Sequence, residues 1–216
     1  MILPAPMSFP ASPHVRRHGP YGLTYDKYKD WVRDEFQFRC VYCLHREKWG
    51  KDGWRNFQLD HVVAWTADEA KRHIYENIVY SCGSCNWTKQ ERPLPDPCSV
   101  AFHGFYQFEP DGSVTPLDRA GERYIEILGL DAPHLANFRR RTFRTYRRLE
   151  ELIELLGDDV DELEEADVLE EIADLLGYPD DIPDLRRKRH KLSSKPNSEE
   201  QCYFARLERR EIPAIY

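Results

Sequence analysis

An α+β fold, with a small clamped core followed by a mainly helical C-terminal extension, is the architecture this sequence predicts. Three observations carry the prediction. Two Cys-x-x-Cys pairs, Cys40/Cys43 and Cys82/Cys85, each adjoin a strand-like segment. Residues 105–117 form two alternating runs around Pro110, Asp111 and Gly112, a hairpin signal. Residues 133–156 repeat apolar side chains at helical spacing.

The elements follow in chain order. Residues 1–23, rich in Pro, His and Gly, read as an irregular N-terminal arm. Thr24 is an N-cap candidate, and Tyr25, Tyr28, Val32 and Phe36 make an amphipathic helix over 25–36. "FRCVYC" reads as a short strand turning into a knuckle. "WRNFQLDHVVAW" (54–65) is strand-like around Asp60 and His61, and "NIVYSC" is a second strand after a polar connection. "GSCNWTKQER" suits a helix that must stop before the prolines of residues 93–97. After the hairpin, "DRAGERYIEILGL" is a short helix ending near Gly129. The long helix that follows has Leu135, Phe138, Phe143, Tyr146 and Leu149 as its apolar face. A further helix fits the acidic run that comes next. A basic flexible linker, "RRKRHKLSSKPNSEEQ", and a C-terminal arm or docked helix complete the chain, and no internal repeat is visible.

Composition narrows the functional classes. An apolar content of 41% with 12% aromatics supports a packed core. No apolar run reaches the roughly 18–20 residues that span a bilayer. The opening residues lack the basic n-region of a secretory signal, so an intracellular, cytoplasmic protein without membrane contact is expected. In a reducing compartment the six cysteines point to metal binding or catalysis rather than disulfides. The net charge of −7 conceals an uneven distribution. Residues 150–184 hold 16 acidic and no Lys or Arg side chains, whereas residues 1–149 hold 22 basic against 18 acidic and residues 185–216 hold 9 against 4. A nucleic-acid partner is therefore compatible with the acidic total.

Two Cys-x-x-Cys pairs match the tetrahedral thiolate coordination of zinc, because a two-residue gap lets both thiolates of a knuckle face one ion. Either pair alone can also be a redox dithiol. Cys98 and Cys202 stand outside the knuckles as ordinary thiols. Between the knuckles, Asp60 and His61 are strand neighbours whose side chains point to different sides unless the strand bends. Asn77 precedes the second knuckle, and Asn86 follows it directly, with Lys89 and Arg92 on the same helical segment.

Taken together, Cys40/Cys43, Asp60-His61, Asn77, Cys82/Cys85, Asn86 and Lys89 resemble the HNH endonuclease family over about residues 24–92. The third signature position often carries His; Asn86 there is similar to members resembling phage recombination endonuclease VII. The resemblance implies a ββα-metal core held by a structural zinc ion at the four cysteines. It implies His61 as general base and Asn77 as the residue that fixes the loop and orients it. Asp60 and Asn86 would be oxygen ligands of a catalytic Mg²⁺ or Mn²⁺. Lys89, which belongs to the family pattern, and Arg92 lie three apart on the proposed helix and either hold flanking phosphates or lie on a solvated helix surface. The expected reaction is hydrolysis of DNA, most simply double-stranded, to 5′-phosphate and 3′-hydroxyl ends. His45 and His73 are read as surface histidines. The implied layout is an HNH domain over 24–97, a hairpin and helical extension over 98–184 containing the acidic segment 150–184, and a basic linker and arm over 185–216.

The class that competes is a non-catalytic zinc-knuckle module binding nucleic acid or protein, which explains the cysteines but not the Asp, His and Asn order. "RRRTFRTYRR" (139–148), with six arginines, is either a phosphate-binding surface or a solvated face paired with acidic neighbours, and "RRKRHK" (186–191) shares that ambiguity. The acidic segment is a candidate shield for such basic surfaces. The order of hairpin, short helix and Arg-rich helix also resembles stand-alone HNH effectors of retron- and Septu-type anti-phage systems, implying a defence role and an ATPase-type partner.

Overall fold

A computed structural model of the chain describes residues 7–16, 22–49 and 53–156. Most of the expected acidic segment, the basic linker with "RRKRHK", the C-terminal arm and Cys202 lie outside the described residues, as do parts of the N-terminal arm.

Tyr25–Tyr28 form a 3₁₀ turn that runs into helix α1, Lys29–Glu35; Thr24 has the extended N-cap backbone, but its side chain makes no capping bond. Tyr28, Val32 and Phe36 face the core as their spacing requires. The chain then reverses sharply through left-handed Gln37 and Phe38, at φ +56° and +57°. The expected strand over "FRCVYC" does not form. A knuckle needs a tight turn, and Cys40 N–H donates to the His45 carbonyl (2.8 Å) while Leu44 N–H donates to Cys40 (2.9 Å). Only a single Arg39–Arg46 bridge has strand character there.

Strands β1, Phe57–His61, and β2, Ile78–Cys82, pair antiparallel with Phe57 opposite Cys82 and His61 opposite Ile78. β1 is shorter than the strand-like run in the sequence, because residues 53–56 wind into a 3₁₀ turn. β2 leads directly into helix α2, Gly83–Lys89, which stops at Gln90 in a left-handed conformation (φ +50°) before Pro93. Strands β3, Tyr106–Phe108, and β4, Val114–Pro116, make the expected hairpin. Helix α3, Arg119–Leu128, is capped by the Asp118 carboxylate, which accepts from Gly121 N–H at 2.6 Å, and it ends at left-handed Gly129. Helix α4 spans Pro133–Leu156.

One hydrophobic cluster joins these parts. Val32 of α1, Phe57 and Ile78 of the first sheet, Tyr106 of the hairpin and Leu128 of α3 belong to it together with the four knuckle cysteines. Beside it, Arg33 and Glu47 form a buried bidentate ion pair (2.8 and 2.7 Å), and the Tyr80 hydroxyl also donates to Glu47. Such a pair fixes geometry more than it adds net stability, because desolvation offsets most of the attraction. No helix among the described residues is long and apolar enough to cross a membrane.

Helix α4 corrects one sequence-based expectation. Leu135 and Tyr146 are buried, and Phe138 and Phe143 partly so, but Arg139 shares their face and is 1% exposed. Its Nε donates to the Gly112 carbonyl and its Nη2 to the Leu130 carbonyl, each at 2.8 Å, and its guanidinium lies 4.9 Å from the Phe108 ring centre. Arg139 is thus a structural tie between hairpin and helix, not part of a basic surface. The Leu149 side chain lies outside the described residues.

The hairpin docks on α4 only because position 112 has no side chain. Gly112 sits at φ +87°, and a Cβ there would come within 2.0 Å of the Ala136 carbonyl oxygen. Gly112→Ala should cost at least about 2 kcal/mol, lowering the melting temperature by several degrees, measured by thermal unfolding of the purified chain.

Candidate active site

The four cysteines converge where two turns meet. Cys40 and Cys43 bracket the first knuckle, Cys82 ends β2 and Cys85 lies in the first turn of α2. Their sulfur atoms all lie within 4.8 Å of one another, Cys43 and Cys82 at 3.6 Å, and all four residues are buried. A zinc ion about 2.3 Å from each sulfur would set them roughly 3.8 Å apart, so the cluster fits a tetrahedral Cys₄ zinc site. Hydrogen bonds from Cys40 and from the other two cysteines hold the Cys82 thiol well below its usual range. The same network, led by Cys40, pushes the Cys43 thiol well above it.

The residue between the first two cysteines reaches the neighbouring strand. The Tyr42 hydroxyl donates to Asp60 Oδ2 at 2.6 Å, and the Tyr106 hydroxyl of the hairpin donates to the Tyr42 carbonyl at 2.7 Å. Asp60 Oδ1 accepts from Lys89 Nζ at 3.0 Å. Burial pushes the Asp60 carboxyl up from its usual range, while Lys89 and Tyr42 pull it back down. Each carboxylate oxygen has one partner here and a second lone-pair direction left for a cation.

His61 leaves β1 on another side from Asp60, as neighbours on a strand should. Its ring stacks on Tyr25 with centroids 4.7 Å apart, and its Nε2 lies 3.0 Å from the Arg72 carbonyl oxygen. A carbonyl only accepts, so Nε2 donates this bond, and in the neutral ring it is Nδ1 that has the lone pair. Asn77 ties down the loop that supplies this carbonyl. Its Oδ1 accepts from Val63 N–H (2.8 Å), and its Nδ2 donates to the carbonyls of Val63 (2.9 Å) and Lys71 (3.1 Å).

Asn86 lies on the first sheet's side of α2 and its Nδ2 donates to Gln58 Oε1 at 2.6 Å. Gln58 and Asp60 share one side of β1, and Asn86 and Lys89, three apart on α2, meet them in the same order. With its amide nitrogen committed, Asn86 has its carbonyl oxygen available. Asp60, His61 and Asn86 all line one cleft of about 260 Å³, with Tyr25, Arg72 and Glu91 among its other walls. Its hard oxygen donors suit Mg²⁺ or Mn²⁺ rather than a soft-ligand ion.

Lys89 is not placed as a phosphate contact, whereas Arg92 is exposed and also bonds helix-end carbonyls. Lys89 is 1% exposed, and besides Asp60 it donates to the His61 carbonyl at 2.9 Å. Arg92 donates through Nη2 to the Ile127 carbonyl (2.8 Å) and to the Thr88 carbonyl, clasping the ends of α2 and α3. Both cations satisfy protein acceptors that a helix end or a buried carboxylate would otherwise leave unpaired. His45 is also not a surface residue. It stacks on Phe138 with centroids 4.2 Å apart, and burial lowers its pKa. His73 is exposed, as expected, and its Nδ1 accepts from Tyr25 N–H at 3.2 Å. Cys98 is a free thiol that burial pushes up to about 12, which makes it an inert thiol.

Tyr42, Gln58, Tyr106 and Glu91 went unremarked in the sequence, and Tyr25 was read there only as part of a helix face. The match of Gln58/Asp60 spacing to Asn86/Lys89 spacing was available there; nothing local marks the reach of Tyr42 or Tyr106.

Cys82→Ser should release the zinc and unfold the core together, since metal binding and folding are coupled in such clusters. Zinc content of the purified variant and its thermal melt check this. A variant with full zinc and an unchanged melt would contradict the Cys₄ site.

No curated protein matches the chain. Residues 40–92 match the family model described as HNH endonuclease. The matched stretch opens at the first knuckle cysteine and closes at Arg92, so it contains the whole thiol cluster, Asp60, His61, Asn77 and Asn86. It supports the HNH family for this region and a nuclease as the functional class, with nucleic acid as the implied substrate.

Proposed function

We propose that the chain is a metal-dependent endonuclease that hydrolyses phosphodiester bonds of double-stranded DNA, leaving 5′-phosphate and 3′-hydroxyl ends. One observation carries the reading: a single polar cleft is lined by Asp60, His61 and Asn86, and the His61 Nε2 bond to the Arg72 carbonyl leaves Nδ1 as a base.

His61 Nδ1 takes a proton from the attacking water, whose oxygen bonds to phosphorus as the bond to the 3′-oxygen breaks. That oxygen leaves with the electron pair and takes up a proton from solvent. Asp60 and Asn86 would hold the Mg²⁺ or Mn²⁺ ion, which when bound supplies Lewis-acid polarisation and charge compensation at the phosphoryl group. Asn77 keeps the Lys71 and Val63 backbone in place, so the adjoining Arg72 carbonyl stays against the His61 ring. Tyr42 and Lys89 hold the carboxylate of Asp60 from its two oxygens. The Cys₄ zinc site is structural in this reading, because its sulfurs are buried and none lines the cleft.

An anti-phage role with an ATPase-type partner is supported by the order of elements after the matched region. Cleavage that requires addition of such a partner would support it.

His61→Ala should lower DNA cleavage by about 10²–10⁴-fold with zinc content and melting temperature unchanged. A variant cutting at the wild-type rate would remove His61 as the base. Tyr42→Phe deletes one hydroxyl and should weaken Mn²⁺ binding at the cleft by about 10–100-fold, read by electron paramagnetic resonance, while zinc stays in place. Unchanged Mn²⁺ affinity would show that the hydroxyl does not position Asp60.

A further inference from the structure

Helix α4 lies outside the matched residues and has two opposed faces. Leu135, Arg139, Thr142 and Tyr146 are buried on one side. Arg140, Arg141, Arg144, Arg147 and Arg148 are all exposed. With 3.6 residues per turn these five fall within an arc of roughly 120°, opposite the buried side. Arg140 is partly engaged, donating to the Asp111 carbonyl (2.8 Å) and to Asn137 Oδ1 (3.3 Å). Among the described residues, no carboxylate forms an ion pair with any of the five. Glu151, one turn beyond Arg147 and also exposed, is no exception. A solvated face neutralised by acidic neighbours is therefore not what this stretch is among the described residues.

We infer that the arginine face of α4, centred on Arg144, is a second nucleic-acid contact that binds the sugar-phosphate backbone without reading sequence. The inference rests on the nuclease reading of the cleft for its choice of polyanion. Arginine suits this task because its planar fork bonds phosphate oxygens in pairs and its charge does not depend on pH. Residues 140–148 cover about 12 Å of helix axis. A duplex carries one charge per about 1.7 Å, so roughly seven phosphates lie along that length, enough for every guanidinium to find one. The buried face anchors the helix through Arg139 and Tyr146, so the exposed arginines project from a fixed element rather than a loop. The same chain carries a competing polyanion in its acidic residues beyond α4.

The test uses the full chain with His61→Ala, so that bound DNA is not cut, and a fluorescent mixed-sequence duplex of about 20 base pairs in Mg²⁺. Adding Arg141→Gln, Arg144→Gln and Arg148→Gln should weaken binding at least about tenfold at moderate salt. It should also reduce the slope of log K against log salt by about 2.7, since each phosphate contact contributes roughly 0.9. A second, unrelated duplex should lose affinity by the same factor. Affinity and slope equal to the parent would overturn the inference; that result is also expected if the chain's own acidic residues occupy the face. If the triple variant does not fold, Arg144→Gln alone should reduce the slope by about 0.9, and an unchanged slope overturns the inference equally. Loss of cleavage in His61→Ala with unaltered binding in the arginine variant would remove this inference alone. A reduced slope in a chain whose His61→Ala still cuts would remove the reading of the cleft alone.

Discussion

Cys43 and Cys82 stand 39 positions apart in sequence and their sulfurs 3.6 Å apart in space, and the rest of the site follows from that closure. The first knuckle can then present Tyr42 to β1, and the second can start α2 directly from the end of β2. Asp60 is held by groups from both sides of the closure, Tyr42 from the first knuckle and Lys89 from α2. Asn86 immediately follows Cys85, the last cysteine of the cluster, so its place in the cleft is set by the same cluster. Closure of the four cysteines and the geometry of the cleft are one constraint, although the two sites offer different donor chemistry.

The extension beyond residue 92 is packed into this arrangement rather than appended to it. Tyr106 reaches the Tyr42 carbonyl, Arg92 clasps α2 to α3, and Phe138 stacks on His45 beside the first knuckle. The hairpin therefore holds Tyr42 by its backbone carbonyl, and Tyr42 in turn holds Asp60 by its side-chain hydroxyl. The cost of burying these polar groups is offset because each finds a partner. The packing also separates two surfaces: a cleft holding oxygen donors and an imidazole, and a helix face holding arginines.

Much of this was legible in the residues. Knuckle spacing, the β2-to-α2 transition, the Pro-Asp-Gly hairpin, the Gly129 stop and the length of α4 are all local signals, and local signals survive folding. What failed were judgements about long polar side chains. Lys89 sits in a motif beside the polar cleft, yet a buried carboxylate next to it is the stronger claim on an ammonium. Arg139 looks like its five neighbours in the run, but it lies four residues after Leu135 and seven before Tyr146, on the buried face. Helical phase alone would have separated it. The strand expected at "FRCVYC" was lost to the knuckle turn, where Leu44 takes φ +59° and pairing cannot propagate. The Tyr42 contact had no local signal, because it depends on the distance between two segments that only the cysteines bring together.

The central claim is that the cleft of Asp60, His61 and Asn86 cuts DNA with a divalent ion while zinc stays structural. The most direct measurement is cleavage of a supercoiled plasmid by the zinc-loaded full chain, with Mg²⁺ or Mn²⁺ added and then chelated, and with the product ends analysed. Nicked or linear product bearing 5′-phosphate and 3′-hydroxyl ends, dependent on the added ion, is the predicted result. No cleavage with either ion, or cleavage undiminished by chelation, would contradict it.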